Sequence, residues 1–251
     1  MRPGNLRDFG GLSPKNFGKL DIKVPQAEPT KVLYPDLYHY SKSHLMPEVR
    51  TGKLRVSELA EQIYSFDLYT PEFCRKLIEE AEFQGGWQTG IDNEDSSFSG
   101  FGMMKVDPSL FESLKTENEK DTTLSLKAFP TYKGGTLTDT ITDTNKRIVA
   151  PVISKIWRSF KPERFDQPYL LKYEPDKVNK MNLHYDFETV AMIVYLNTEY
   201  EGGGTYFPRW DFRLQPKKPG QAAMWPGGVS HEHIGLPITG GVRYLLCCAF
   251  F

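Results

Sequence analysis

His184, Tyr185 and Asp186 place an imidazole and a carboxylate two residues apart, and in an extended segment both side chains leave the same face. One metal ion could hold both. About fifty residues later, His231-Glu232-His233 offers a third ligand from another strand. Two histidines and one carboxylate on one side of a metal form the facial triad of non-haem iron(II) oxygenases, which leaves positions open for co-substrate and oxygen. Zinc accepts the same ligands and is the competing metal. In a chain with five histidines a single His-x-Asp pair arises readily by chance, so its neighbours must carry the reading.

Arg243 stands ten residues after His233, at the start of the last apolar run, and Tyr173 stands eleven residues before His184, at the end of another. A guanidinium entering a barrel interior must meet an anion, because an unpaired buried charge is strongly destabilising. Metal ligands, cation and tyrosine together call for a dicarboxylate, with one end on the metal and the other clamped by Arg243 and the Tyr173 hydroxyl. A zinc hydrolase would need a general base, for which only Glu232 is near in sequence, and it leaves Arg243 unexplained. A barrel that merely binds metal has no need for both the triad and the arginine. Gly202-Gly203-Gly204 lacks the helix and lysine of a phosphate loop and reads as a tight turn. His39 and His44 have no carboxylate or thiol company.

The elements that position these residues follow from periodicity. From Tyr169 onward, short β-rich runs at Tyr169–Tyr173, Thr189–Asn197, Thr205–Phe207, Phe212–Leu214, Gln221–Trp225 and Val242–Phe251 alternate with Gly- and Pro-containing turns. Six or more such strands point to an antiparallel sandwich or barrel. Upstream, Glu61–Tyr69 reads as a strand running into Thr70-Pro71-Glu72, an N-cap with Pro at the first helical position. Phe73, Leu77, Ile78 and Ala81 continue at helical spacing until Gly85-Gly86, and a second helix is predicted over Asn145–Phe160, with Pro151 disturbing its first turns. The class is therefore mainly β, with helices on one face. Residues 1–55 read as an irregular arm and 56–251 as the catalytic domain. Asp92–Asp143, rich in Ser, Thr and Asp, reads as short strands and mobile loops, the place for a substrate lid.

Composition narrows the function. The chain has 251 residues, 39% of them hydrophobic and 25% charged, as in an ordinary globular protein. With 31 Lys plus Arg against 32 Asp plus Glu, it lacks the positive excess by which nucleic-acid binders neutralise phosphates. Its apolar runs, such as Tyr244–Phe251, are too short to span a membrane. The polar, Gly- and Pro-rich first residues do not supply the apolar region of a secretory signal, so a cytoplasmic location is expected. Cys247 and Cys248 are neighbours on one strand and point to opposite faces, so buried reduced thiols are expected rather than a disulfide framework.

Residues 62–251 resemble the Fe(II)- and 2-oxoglutarate-dependent dioxygenases of the prolyl and lysyl hydroxylase type, and most closely the procollagen lysyl hydroxylase catalytic domain. The matching segments are Ile63 to Cys74, Tyr173-Glu-Pro-Asp176, His184-Tyr-Asp186, Tyr195-Leu-Asn197, Gly202 to Phe207, Pro219-Gly220, Pro226-Gly227, His231-Glu-His233, Gly235-Leu-Pro237 and Gly241-Val-Arg-Tyr244. The resemblance implies a double-stranded β-helix, the jelly-roll or cupin-like core, with Fe(II) held by His184, Asp186 and His233. It implies 2-oxoglutarate bound through Arg243 and Tyr173, O2 as oxidant and ascorbate as an auxiliary reductant. It also chooses His233 over His231 as the distal ligand, leaving His231 as a hydrogen-bonded histidine. Two positions depart from the lysyl hydroxylases: Ile193 stands where they carry an amide, and Trp225-Pro226-Gly227-Gly228 where they carry His-Pro-Gly-Arg.

The expected activity is oxidation of an unactivated C–H bond, hydroxylation by default, with desaturation or cyclisation as variants. A small molecule or free amino acid is the first substrate expectation, a peptidyl lysine or other protein residue the alternative, and a non-catalytic metal-binding barrel the weakest.

Overall fold

From Val190 to Leu196 every side chain is apolar or aromatic, which is the pattern of a strand covered on both faces. A computed structural model, which describes residues 31–89 and 122–251, places this segment at the centre of the larger of two facing sheets. The strands are β1 (Ser57–Ala60), β2 (Ile63–Asp67), β3 (Gln88–Thr89), β4 (Thr122–Ser125), β5 (Tyr169–Tyr173), β6 (Met181–His184), β7 (Val190–Tyr195), β8 (Tyr200–Gly202), β9 (Thr205–Phe207), β10 (Phe212–Leu214), β11 (Gln221–Pro226), β12 (His233–Gly235), β13 (Ile238–Gly241) and β14 (Arg243–Phe250). The large sheet runs β1-β2-β11-β7-β14-β5-β4-β3, the small one β10-β9-β12-β6, and β8 pairs with β13 as a separate ribbon. All pairings are antiparallel.

Alternation along the central strands divides the interior in two. Val190, Met192 and Val194 of β7 and Leu246, Cys248 and Phe250 of β14 face an outer core shared with the helices. Ala191, Tyr195, Leu245 and Cys247 face an inner core between the sheets, joined by Leu171, Tyr173, Ala223 and Trp225. The two adjacent cysteines thus enter different cores, both as free thiols. Each fully buried aliphatic or aromatic side chain contributes roughly 1.5–3 kcal/mol by leaving water.

The helices are a single turn α1 (Pro47–Arg50), then α2 (Pro71–Gln84), α3 (Leu137–Thr144) and α4 (Ala150–Ile156). In α2 the Thr70 hydroxyl accepts from Phe73 N at 3.2 Å, and Phe73, Leu77 and Ala81 bury against the large sheet. Among the described residues no helix is long and apolar enough to cross a membrane.

The second helical segment differs from its prediction. Helix begins at Leu137, eight residues before the predicted start, because Thr136 caps Asp139 N at 3.0 Å and Leu137 and Ile141 bury into the outer core. The β-branched threonines of this stretch hide a good N-cap. Residues 145–149 then form a wide π turn before α4. Pro151 explains it: the ring donates no hydrogen bond and crowds the Arg147 carbonyl one turn back, and the wider turn relieves that contact. Helix stops at Ile156 rather than Phe160. Of the predicted lid, residues 92–121 lie outside the described residues. Residues 122–143 are β4, a 3-10 turn and α3, with Leu124, Leu126, Phe129, Leu137 and Ile141 buried, so this part is framework.

Residues 31–55 contain two 3-10 turns, Pro35–Tyr38 and Lys42–His44, followed by α1, and bury Leu37, Tyr38, Leu45 and Val49 in the outer core. Their anchor is Glu80 of α2, which is fully buried and accepts from Leu33 N, Tyr34 N and Tyr38 Oη at 2.9 Å each and from Gln84 Nε2 at 2.7 Å. A buried carboxylate so satisfied is stabilising only while all its donors stay in place. Glu80→Ala strands two backbone amides and a buried phenol at once, and should lower the unfolding free energy by about 2–4 kcal/mol in urea titrations. Limited proteolysis should then cut first near residues 31–38. An unchanged denaturation midpoint would show that the network contributes nothing.

Candidate metal and co-substrate site

β6 ends at His184 and β12 begins at His233, and the two residues face each other directly in the small sheet. Their ring centroids lie 4.2 Å apart. Each ring is held by a backbone carbonyl two residues earlier: His184 Nδ1 donates to Asn182 O at 2.7 Å and His233 Nδ1 to His231 O at 3.0 Å. A carbonyl only accepts, so Nδ1 carries the proton and Nε2 presents its lone pair, the form a metal requires. The two Nε2 atoms face Asp186, at 3.9 Å from Oδ1 for His184 and 3.8 Å from Oδ2 for His233. One ligand atom from each residue falls within 4.8 Å of the others, a spacing that one ion with bonds of about 2 Å can bridge. Burial, and then the neighbouring His184, push the His233 imidazole down to about 4, so it stays neutral near pH 7.

Asp186 lies in the loop after β6, and that loop is tied to the turn after β11. Gly228 N donates to Asp186 O at 2.7 Å, and Gly227 N to Thr189 O at 3.1 Å. A Cβ on Gly227 would lie 1.8 Å from Glu188 O, so only glycine fits there. Trp225 Nε1 donates to Asp186 Oδ2 at 2.9 Å. Glu188, two residues beyond Asp186, is pushed up to about 7 by burial and by the Asp186 carboxylate.

Arg243 opens β14 opposite Tyr173 of β5, and its side chain is 1% exposed in the inner core. It donates to Gly204 O at 3.3 Å and to Thr205 Oγ1 at 3.4 Å, while Nε has no partner. The rings of Tyr173, Tyr195 and Tyr200 surround it at 5.4, 5.5 and 5.9 Å. No carboxylate of the described residues lies within ion-pairing distance of it. The buried Tyr200 hydroxyl is also unpaired. Gly202, Gly203 and Gly204 carry φ of +76°, +62° and +103°, and this turn directs the Gly203 carbonyl to Arg213 and the Gly204 carbonyl to Arg243. The result is a dry cation with donors to spare, which suits an anion from outside the chain.

The sequence-predicted residues therefore assemble in one barrel, His184, Asp186 and His233 as one cluster and Arg243 with Tyr173 as another. His231 stands apart: Nε2 donates to Glu61 O at 3.2 Å, Nδ1 accepts from Ser230 Oγ at 2.9 Å, and Trp210 packs on the ring at 4.8 Å. Sequence reasoning missed Tyr195, Tyr200 and Thr205 beside Arg243 and the Trp225 bond to Asp186. Parity along β7 was the available signal for Tyr195, since it shares a face with Ile193.

No protein-family model matches the chain. Among curated proteins it is 31% identical over 199 residues to the multifunctional procollagen lysine hydroxylase and glycosyltransferase LH3 of Rattus norvegicus, covering 78% of this chain and 24% of that protein. It is 30% identical over 198 residues to procollagen-lysine,2-oxoglutarate 5-dioxygenase 1 of Gallus gallus, covering 77% and 24%. The chain belongs to the Fe(II)- and 2-oxoglutarate-dependent dioxygenase superfamily. Within that superfamily it is also 28% identical over 259 residues to the procollagen lysyl hydroxylase and glycosyltransferase of Acanthamoeba polyphaga mimivirus, which covers 98% of this chain and 26% of that protein. The chain thus spans about a quarter of the length of these relatives.

Two solved structures share its jelly-roll fold. The viral collagen prolyl hydroxylase of Paramecium Bursaria Chlorella virus-1 superposes with TM-score 0.51 at 17% identity, over 76% of this chain and 96% of that one. A Pseudomonas putida prolyl-4-hydroxylase gives 0.50 at 14% identity, over 76% and 93%.

Two outcomes follow from the geometry. His233→Ala should abolish Fe(II) binding in anaerobic equilibrium dialysis, whereas His231→Ala should retain it, and the reverse pattern would overturn the choice of ligand. Arg243→Met exchanges an unpaired buried charge for an apolar chain of similar length, and should stabilise the ligand-free protein by about 1–4 kcal/mol. The same variant should lose the rise in melting temperature that 2-oxoglutarate produces in the parent. A parent whose melting is indifferent to 2-oxoglutarate would remove the anion site.

Proposed function

We propose that this dioxygenase hydroxylates a residue of a polypeptide, with peptidyl lysine as the leading target. The observation that carries the co-substrate part is Arg243, a fully buried guanidinium without a carboxylate partner among the described residues, in the same barrel as the His-Asp-His cluster. The relatives at 30–31% identity are named for procollagen lysine, which supports a peptide target over the small molecule or free amino acid that the sequence first suggests.

In this reading His184, Asp186 and His233 would hold Fe(II) from one side, and Arg243 with Tyr173, Tyr200 and Thr205 would hold the distal carboxylate of 2-oxoglutarate. Iron and 2-oxoglutarate together supply the oxidation of an unactivated C–H bond by O2, with 2-oxoglutarate leaving as succinate and carbon dioxide. The chain's own residues bind, orient and keep water out. Phe207, Trp225 and Cys247 give the inner core an apolar wall, and a dry wall strengthens every charge interaction beside it. Phe187 and Val229 are 51% and 59% exposed, and each adjoins one partner of the Gly228–Asp186 backbone bond. Apolar side chains at this rim fit a polypeptide passing over the mouth better than a small polar metabolite.

The test is succinate release from anaerobically loaded Fe(II) and 2-oxoglutarate on admission of O2, screened over lysine-containing peptides, proline-containing peptides and free amino acids. Lysine peptides should gain one oxygen atom by mass spectrometry in step with succinate. Turnover of a free amino acid with all peptides inert would refute the polypeptide target. Absence of both succinate and a visible Fe(II)–2-oxoglutarate charge-transfer band would refute the enzyme.

A further inference from the structure

Trp225 sits on β11 opposite Ala191 of β7, 1% exposed, with its ring in the inner core. It touches two members of the metal cluster at once. Its indole Nε1 donates to Asp186 Oδ2 at 2.9 Å, and its ring meets the His233 imidazole edge-on at 4.9 Å and 70°. Phe207 closes the other side at 5.2 Å. An indole N–H is a donor only, and a buried one requires an acceptor. Here the acceptor is Oδ2 of a carboxylate whose two oxygens face the histidines, Oδ2 at 3.8 Å from His233 Nε2 and Oδ1 at 3.9 Å from His184 Nε2.

Resting on the metal cluster of the proposed function, we propose that Trp225 is a positioning residue that decides how Asp186 binds the ion. The indole N–H takes one lone pair of Oδ2, which also lies 3.8 Å from His233 Nε2, and leaves both lone pairs of Oδ1, 3.9 Å from His184 Nε2, free for the metal. The bond thereby favours binding of Asp186 through Oδ1 alone over closure on the ion with both oxygens. A carboxylate held to one oxygen takes one coordination position, and the position spared stays available to co-substrate or oxygen. The carboxylate plane is also fixed before metal arrives, because the Gly228 bond holds the Asp186 backbone and the indole holds its side chain.

A purely packing role predicts something different, and two substitutions separate the roles. Trp225→Phe keeps aromatic bulk and removes the donor, whereas Trp225→His keeps a ring N–H and loses bulk. Anaerobic dialysis against Fe(II) should show Trp225→Phe weaker than the parent by roughly 10- to 100-fold, the usual effect of losing a hydrogen bond to a metal ligand. Trp225→His should bind more tightly than Trp225→Phe even where it melts lower. Binding by Trp225→Phe at the parental level, or tighter than by Trp225→His, would overturn the proposal. Should neither variant fold, the parent protein decides. It has four tryptophans, and in an indole nitrogen–proton correlation spectrum the Trp225 signal should shift on titration with Zn(II). A signal that does not move while Zn(II) binds would overturn the proposal. Failure of the underlying metal cluster looks different: the parent and His233→Ala would then bind Fe(II) alike.

Discussion

An uncompensated guanidinium in the inner core governs how the rest of this barrel is built. Pairing of β14 with β5 and β7 sets Arg243 between Tyr173 and Tyr195, with no carboxylate of the described residues within ion-pairing distance. Such a charge persists only if the surroundings hold it where water cannot follow. The outer core does that holding. Helices α2, α3 and α4 cover the far face of the large sheet, so the central strands must be apolar on both sides, and their inner faces are left free to carry a few polar exceptions. The metal cluster occupies the small sheet across the same interior. The candidate metal ligands and the buried cation are thus divided between two sheets.

The histidine pair shows the same economy of means. Cross-strand pairing of His184 with His233 brings the rings together, and each ring's proton is placed by a carbonyl of its own strand or turn. No further side chain is required to choose the tautomer. Among the described residues, the long-range side-chain hydrogen bond to the cluster comes from Trp225 on the large sheet. It links the sheet that carries Arg243 to the one that carries the imidazoles.

Much of this was legible in the amino-acid order. The His-x-Asp pair, the arginine ten residues past His233 and the change to short strands after Tyr169 are local patterns, and each survived folding because pairing in antiparallel sheets preserves parity. What escaped was of two kinds. Tyr195, Tyr200, Thr205 and the Trp225 bond to Asp186 come from strands whose neighbours in space are distant in sequence, and a single chain carries no mark of that adjacency. Helix α3 escaped because threonine-rich sequence has weak intrinsic helicity, and burial of Leu137 and Ile141 overrode that weakness. Reading residues 122–143 as lid erred for the same reason, since five buried apolar side chains suffice to fasten a polar segment.

Gly227 and Gly228 are adjacent and look alike on the page, yet they would be kept for different reasons in a population of randomly mutated copies. At Gly227 any side chain collides with the Glu188 carbonyl, so survivors of selection would keep glycine whatever substrate they were selected on. At Gly228 the surrounding space is open, but φ of +85° with ψ of 178° is a backbone conformation essentially confined to glycine. Invariance at the first position would therefore report how closely two loops approach, and invariance at the second would report a backbone conformation alone. An observer comparing such survivors would learn the shape of the Asp186 loop before learning anything of its chemistry.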